Sequence, residues 1–244
     1  MYTLTLQRIE DVADGTKLFI FDRPAEYEYK AGQYCAIRLA NLVEPDPKGA
    51  ARSFSFASSP YEGELAFAMR SGESGYKKTF WSLQPGATVE ATKAVGFFTE
   101  PEENDQPIVF LVGGIGITPA RSILRQADHT AGKRDYILFY ANRFEKDATF
   151  HQELRALEQS LPHFRYITVL SKAENPAAPE NDERGYITGP MLEKYISNIP
   201  HRLYYMVGSG EFIDAMESLL AGFGVMKEQC FKDPFTGLRK PAAK

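Results

Sequence analysis

Cysteine is almost missing from this chain. Cys35 and Cys230 are the only two in 244 residues, which excludes a disulfide framework, a paired-cysteine zinc site and the four thiolates of an iron-sulfur cluster within it. Histidine is nearly as scarce, and His129, His151, His163 and His201 are scattered through helix-like and strand-like segments, which favours surface and packing roles over metal ligation. No apolar run approaches the roughly 18 to 20 residues that span a bilayer. The opening MYTLTLQRIE lacks the charged start and apolar core of a signal peptide, so the expected location is the cytoplasm. A net charge of -4 argues against a nucleic-acid partner. What the chain does have is 43% hydrophobic and 13% aromatic residues, enough to bury one large core or two small ones.

The stretch that organises the rest is 110–119, FLVGGIGITP. An apolar run breaks into Gly113, Gly114 and Gly116 and restarts as a helical stretch over 120–127, the entry to a strand-turn-helix unit. Backbone N–H groups at the start of such a helix have no partner inside it and suit a phosphate. The glycines would allow positive φ and close backbone approach. Thr118 is placed to cap the helix, and Pro119 fits the first helical position, where its missing N–H costs nothing. A glycine turn also serves simply to pass from strand to helix, and the spacing lacks the third glycine of the dinucleotide fingerprint. On these residues alone both readings stand.

Before residue 99 the runs YTLTLQRIE, TKLFIFD, QYCAIRLA, ARSFSFAS, ELAFAMR and TVEATKAV alternate in polarity and are separated by turn pairs such as Asp14-Gly15 and Pro85-Gly86. Many short strands at near-regular spacing predict an antiparallel barrel or sandwich. One helix interrupts it after Ser74-Gly75, with Tyr76, Phe80 and Leu83 on one face and Trp81 expected in the core. Residues 101–107, PEENDQP, read as a linker. Beyond it PIVFLV, DYILFYA, RYITVL and RLYYMV alternate with ARSILRQAD, TFHQELRALEQSL, GPMLEKYISNI and EFIDAMESLLAGF, the pattern of a parallel sheet with crossover helices. Residues 172–184 read as a loop without periodicity. The expected architecture is β + α/β, an antiparallel β-barrel over 1–101 followed by a parallel-sheet domain over 106–244.

A resemblance joins these pieces. RSFSFASSP, from Arg52 to Pro60, resembles the R-x-[Y/F]-S-x-x-S-x-P flavin motif of the ferredoxin-NADP reductase family. GGIGITP resembles that family's G-G-x-G-x-T-P nicotinamide-nucleotide loop, and YMVGSGEFIDAM over 205–216 is similar to its Y-x-x-G-P-P-x-x-x-x-A-M segment. The three occur in the family's order and span most of the chain.

The resemblance implies a flavin-binding barrel, a nucleotide-binding α/β domain, and transfer of electrons from NADPH or NADH through FAD, with FMN the alternative, to a separate acceptor. With too few cysteines for an iron-sulfur centre in the chain, that acceptor is a ferredoxin, a flavodoxin or a small molecule. The alternatives are a diaphorase reducing free flavin, quinone or ferric chelates, or a non-catalytic nucleotide-binding subunit.

It also assigns residues. A guanidinium suits a flavin phosphate, so Arg52 is expected on it, flanked by Ser53. Phe54 would offer a face to the isoalloxazine, although strand alternation alone places it in the core. Ser55 would direct its hydroxyl to the flavin nitrogen that receives hydride. The stretch from Met69 to Thr79 would add Gly75, Tyr76 and Lys77, with Lys77 where relatives carry a hydroxyl. Gly114, Gly116 and Thr118 would face the nicotinamide nucleotide, with Gly208 and Ser209 as a second turn; Val207 stands where many relatives have cysteine. Ser171 and Lys172 fall where NADPH-using relatives bind the 2′-phosphate. DPFTGL resembles a C-terminal tail that would bring Asp233, as a proton-transfer candidate, and Phe235 to the flavin.

Overall fold

Alternation of apolar and polar residues produces six strands before the linker: β1 (Tyr2–Ala13), β2 (Thr16–Phe21), β3 (Tyr34–Arg38), β4 (Ala51–Ser55), β5 (Leu65–Arg70) and β6 (Thr88–Ala91). The computed structural model describes residues 1–172 and 182–234. Each of the six alternating runs is a strand, and they form one antiparallel sheet in the order β4-β3-β6-β1-β2-β5. The two edge strands meet just beyond β4, where the Ala57 N–H donates to Ala66 O at 2.8 Å and the Ala66 N–H to Ser58 Oγ at 3.0 Å. That contact curls the sheet into a barrel.

The barrel is filled with aromatic side chains. Phe19, Phe21, Phe54, Phe56, Phe67, Tyr76 and Phe80 lie in one buried cluster, several of them edge to face. Such rings contribute large apolar area, at about 25 cal/mol per Å² removed from water, together with directional ring contacts. Helix α1 (Gly75–Trp81) supplies Tyr76 and Phe80 to that cluster, as its 3.6-residue pattern implies. Trp81 packs at the cluster's margin under Lys17, whose ammonium sits 4.8 Å from the ring centroid.

The second sheet is parallel, in the order β10-β9-β8-β7-β11-β12. Its strands are β7 (Ile108–Gly113), β8 (Tyr136–Asn142), β9 (Phe164–Leu170), β10 (Asp182–Arg184), β11 (Leu203–Gly208) and β12 (Cys230–Pro234). The helices are α2 (Ile117–His129), α3 (His151–Ser160), α4 (Gly189–Tyr195) and α5 (Gly210–Gly222). Two edge strands were not expected. β10 turns the end of the anticipated 172–184 loop into sheet, and β12 gives the start of the C-terminal tail a ladder beside β11. The acidic segment 101–107 lacks regular structure, but Arg134 fastens it by donating to the carbonyls of Pro101, Asn104 and Gln106.

By internal contact the chain divides into Met1–Glu100 with Thr118–Thr130, and Pro101–Ile117 with Ala131 onward. Helix α2 therefore groups with the barrel. Its partners explain this. Arg121 donates to Ala57 O at 2.5 Å and pairs with Glu62, Ser122 Oγ donates to Ser58 O at 2.6 Å, and Ser59 Oγ donates to Gln126 Oε1 at 2.7 Å. His129 stacks on Tyr61 with ring centroids 4.0 Å apart.

Candidate functional site

In the parallel sheet the chain runs outward from β7 through β8 and β9 to β10, then returns to the opposite side of β7 as β11. The strand order reverses between β7 and β11. Ligands of open α/β sheets gather at the carboxyl ends of strands at such a switch point. Val112 and Val207 are paired there, and each strand then breaks into glycine. Gly114 takes a left-handed φ of 56°, as the turn requires. Gly116 does not; its need is for space, since a Cβ would stand 2.9 Å from Val207 Cγ1 and 3.0 Å from Val207 O.

Two local expectations are corrected here. A 3-10 turn over Gly114–Gly116 leads straight into α2 at Ile117, so Thr118 lies inside the helix, 3% exposed, and does not cap it. For the same reason Pro119 is third in the helix; it still falls in the first turn, where N–H groups lack intrahelical partners. In the second turn Ser209 is the true cap, its side chain accepting from the Phe212 N–H at 3.1 Å at the start of α5. Gly208 lies against the Phe212 ring.

Next along the same edge, the Ser171 N–H donates to Asn142 O at 3.0 Å and the Lys172 N–H to Arg143 O at 2.9 Å, while the Lys172 side chain is exposed. Asn142 ends β8 and was not singled out from the sequence. Its side chain is 9% exposed, and neither its amide nitrogen nor its oxygen has a partner among the described residues. An unsatisfied buried amide costs about 1–3 kcal/mol, which makes Asn142 a candidate for a ligand contact. The sequence signal was faint: one polar residue closing the apolar run YILFYAN. Asp233 sits in β12 opposite Val207, and Phe235 lies outside the described residues.

In the barrel, β4 presents its residues alternately. Ser53 is exposed; Arg52 and Phe54 share the other face. Phe54 is 8% exposed and stacks on Phe80 with centroids 5.1 Å apart, so the ring that the resemblance turns toward a flavin is a core residue here, as alternation implied. Met69 is likewise core, and Ser55 is buried. Tyr76 is fully buried and donates its hydroxyl to Ile37 O at 3.0 Å. Lys77 is half-buried and packs on Gly72; burial, then the nearby Arg70 charge, pushes its pKa down. Ser74, next to the predicted glycine, caps α1 by accepting from the Lys77 N–H.

Arg52 holds an oxyanion, and the oxyanion belongs to the protein. Its Nη2 pairs with Asp46 Oδ1 at 2.6 Å, and Asp46 Oδ2 accepts from the Tyr76 N–H at 3.0 Å. Backbone donation from Tyr76 and then Lys48, with Ser74 and the Arg52 charge, holds the Asp46 carboxyl down at about 2. No group of His, Cys, Asp and Glu suited to a metal ion occurs among the described residues.

An antiparallel barrel followed in sequence by a parallel sheet with glycine turns at its switch point defines the two-domain class to which the chain belongs. The family described as Oxidoreductase NAD-binding domain matches residues 110–218, from within β7 into α5. Ferredoxin–NADP reductase B of Sorangium cellulosum is 32% identical over 187 residues, covering 75% of this chain and 69% of that protein. The chain belongs to the ferredoxin-NADP reductase family. The ferredoxin reductase component of 3-ketosteroid-9-alpha-monooxygenase from Rhodococcus rhodochrous is 30% identical over 239 residues, which are 94% of this chain and 63% of that one. The chain thus spans about three fifths of the monooxygenase reductase components it matches, 57% in the case of the propane 2-monooxygenase reductase of Rhodococcus jostii. A crystal structure of a ferredoxin NADP+ reductase from Neisseria gonorrhoeae with bound FAD and NADP has the same fold, with a TM-score of 0.80 at 23% identity, covering 96% of this chain and 98% of the other.

Proposed function

We propose that this chain is a flavin-dependent NAD(P)H oxidoreductase that passes electrons from NADPH or NADH through bound FAD to a separate acceptor, a ferredoxin, a flavodoxin or the oxygenase partner of a monooxygenase system. The observation that carries the reading is the pair of glycine turns at the ends of adjacent strands β7 and β11, beside the unsatisfied Asn142 amide. In this reading residues 1–101 are the flavin half and 106–244 the nucleotide half. No helix among the described residues is long and apolar enough to cross a membrane. A cytoplasmic setting, where reduced nicotinamide nucleotide is generated, goes with the proposal.

The residues present fit both groups chemically. A guanidinium and a backbone N–H that already hold a carboxylate are the donor set a flavin phosphate needs, and Gly116 and Gly208 let the backbone pass close to Val207 and the Phe212 ring at the strand ends where the nicotinamide nucleotide would lie. When bound, the flavin supplies a hydride acceptor that can release electrons one at a time. The chain's own share is binding and orientation. Arg52 neutralises phosphate, Ser55 orients the ring by hydrogen bonding, Gly114 and Gly116 admit phosphate to the backbone, and Asn142 and Lys172 fix the nucleotide's far end. No side chain has to act as a nucleophile. Asp233 and Phe235 stay candidates through the family's tail alone.

The test is spectroscopic. Protein reconstituted with FAD should show visible flavin absorption bands that NADH or NADPH bleaches under anaerobic conditions. Protein that takes up no flavin, or holds flavin that neither nucleotide reduces, refutes the proposal.

A further inference from the structure

The Nη1 and Nη2 groups of Arg52 are engaged inside its own loop. Besides the Nη2 pair with Asp46, its Nη1 donates to the carbonyls of Lys48, Gly49 and Ala51 at 2.9, 2.9 and 2.7 Å. Asp46 is held as firmly. Its side chain is 2% exposed, and its Oδ1 also accepts from the Lys48 N–H at 2.9 Å. A phosphate arriving at Arg52 would meet a carboxylate already on the same guanidinium. Two anions on one cation repel, and in partly buried surroundings that repulsion is poorly screened.

The segment that carries Asp46, residues 39–50 between β3 and β4, is fastened by polar contacts. Val43 N–H donates to Thr79 Oγ1 at 2.9 Å, Glu44 pairs with Lys78 at 2.9 Å, and the Glu44 carbonyl lies so close to Gly75 that no Cβ fits there. Leu39 belongs to the core cluster and Leu42 packs against it, whereas residues 43–50 lie outside that cluster and Val43 is 66% exposed, although the Asp46 side chain is itself buried. The part beyond Leu42 can therefore shift with Asp46 without unpacking the aromatic core.

We propose that Asp46 is an internal rival of the flavin phosphate for Arg52, so that a phosphorylated flavin seats only when the Asp46 carboxylate leaves the guanidinium, and Asp46 thereby sets flavin affinity. This rests on the assignment of Arg52 to the flavin phosphate. It makes Asp46 a specificity residue for the phosphate moiety. Riboflavin, which has no phosphate, does not compete with it.

The experiment titrates deflavinated full-length protein with FAD, FMN and riboflavin, following flavin fluorescence, for wild type, Asp46→Asn, Asp46→Ser and Asp46→Glu. Asp46→Asn and Asp46→Ser should bind FAD and FMN about tenfold tighter, the worth of one charge-assisted contact no longer contested, with riboflavin unchanged. Asp46→Glu, which keeps the charge, should stay within about threefold of wild type. Thermal unfolding of each variant checks that it folds, and the Ser variant serves if the Asn variant does not. Equal or weaker binding of FAD and FMN by the neutral variants would overturn the proposal, because Asp46 would then be positioning Arg52. Equal tightening of riboflavin would overturn it too, by removing the phosphate from the effect. Failure of the underlying assignment looks different: Arg52→Ala would bind FAD as wild type does.

Discussion

Gly116→Ala tests whether the first glycine turn is a matter of space. The added Cβ would stand 2.9 Å from Val207 Cγ1, 3.0 Å from Val207 O and 3.1 Å from Val207 C, where ordinary contact begins near 3.4 Å. Val207 is fully buried in β11 and paired with Val112, so the strand cannot retreat and the turn must shift by a few tenths of an ångström. Overpacking of this kind costs about 1–3 kcal/mol. In a chain of this size each kcal/mol lowers Tm by about 2–4 °C, giving a fall of roughly 2 to 12 °C. If this backbone faces phosphate as proposed, displacing it should also weaken nucleotide binding about tenfold, the equivalent of about 1.4 kcal/mol. Gly208→Ala is the control for stability. Its Cβ would stand 2.8 Å from Phe212 Cδ1, a side-chain atom on a partly buried ring that can rotate, so its cost should stay below about 1 kcal/mol. Adding Val207→Ala to Gly116→Ala removes the Cγ1 contact and leaves the two backbone ones, so recovery should be partial. Thermal unfolding and calorimetric titration with NADP+ and NAD+ read both effects. A Gly116→Ala protein as stable as wild type, with unchanged nucleotide affinity, would refute the spatial argument.

Asn142→Leu removes an unsatisfied buried amide, so stability without nucleotide should hold or rise while affinity for NAD(P)+ falls; lower stability at unchanged affinity would show that the amide serves the fold. Arg121→Ala breaks the pair with Glu62 and the bond to Ala57 O, but Arg125 still faces Glu62 at 3.5 Å. The loss should therefore be about 2 kcal/mol, below the full cost of an orphaned buried charge, and visible as a Tm lower by about 4–8 °C; a shift under 1 °C would deny that these contacts hold α2 on the barrel. Lys172→Ala should raise the KM for NADPH and leave that for NADH alone; equal effects on both would reduce Lys172 to a loop charge.

Most of the barrel strands were legible because one face is buried, which writes a period of two into the sequence; β2, TKLFIF, and β5, LAFAMR, are buried on both faces and show it least, but were still bounded by glycine turns. The edge strands were not legible. β10 is Asp-Glu-Arg and becomes strand only by pairing with β9, where Asp182 meets Thr168 and Arg155. β12, CFKDP, has one large apolar side chain, Phe231, whose ring stacks on Tyr205 of β11 at 4.5 Å. Neither segment contains in itself the contacts that order it.

The candidate site divides along the same line. Glycine turns and an arginine within an alternating strand are local features, legible in the sequence itself. Arg52's partner is not local in any useful sense: nothing in VEPDPKG marks Asp46 as an acceptor for the Tyr76 N–H thirty residues on. For Phe54, residue type in the motif pointed one way and strand alternation the other, and alternation described its surroundings, because a β4 side chain facing Phe67 and Phe80 is buried whatever motif contains it. The same logic reassigns the end of the motif. Ser58 and Ser59 accept and donate across to Ser122 and Gln126, so half of RSFSFASSP grips the helix that follows the glycine turn. The segment that begins at Arg52 thus also anchors α2, whose first residue directly continues the glycine turn.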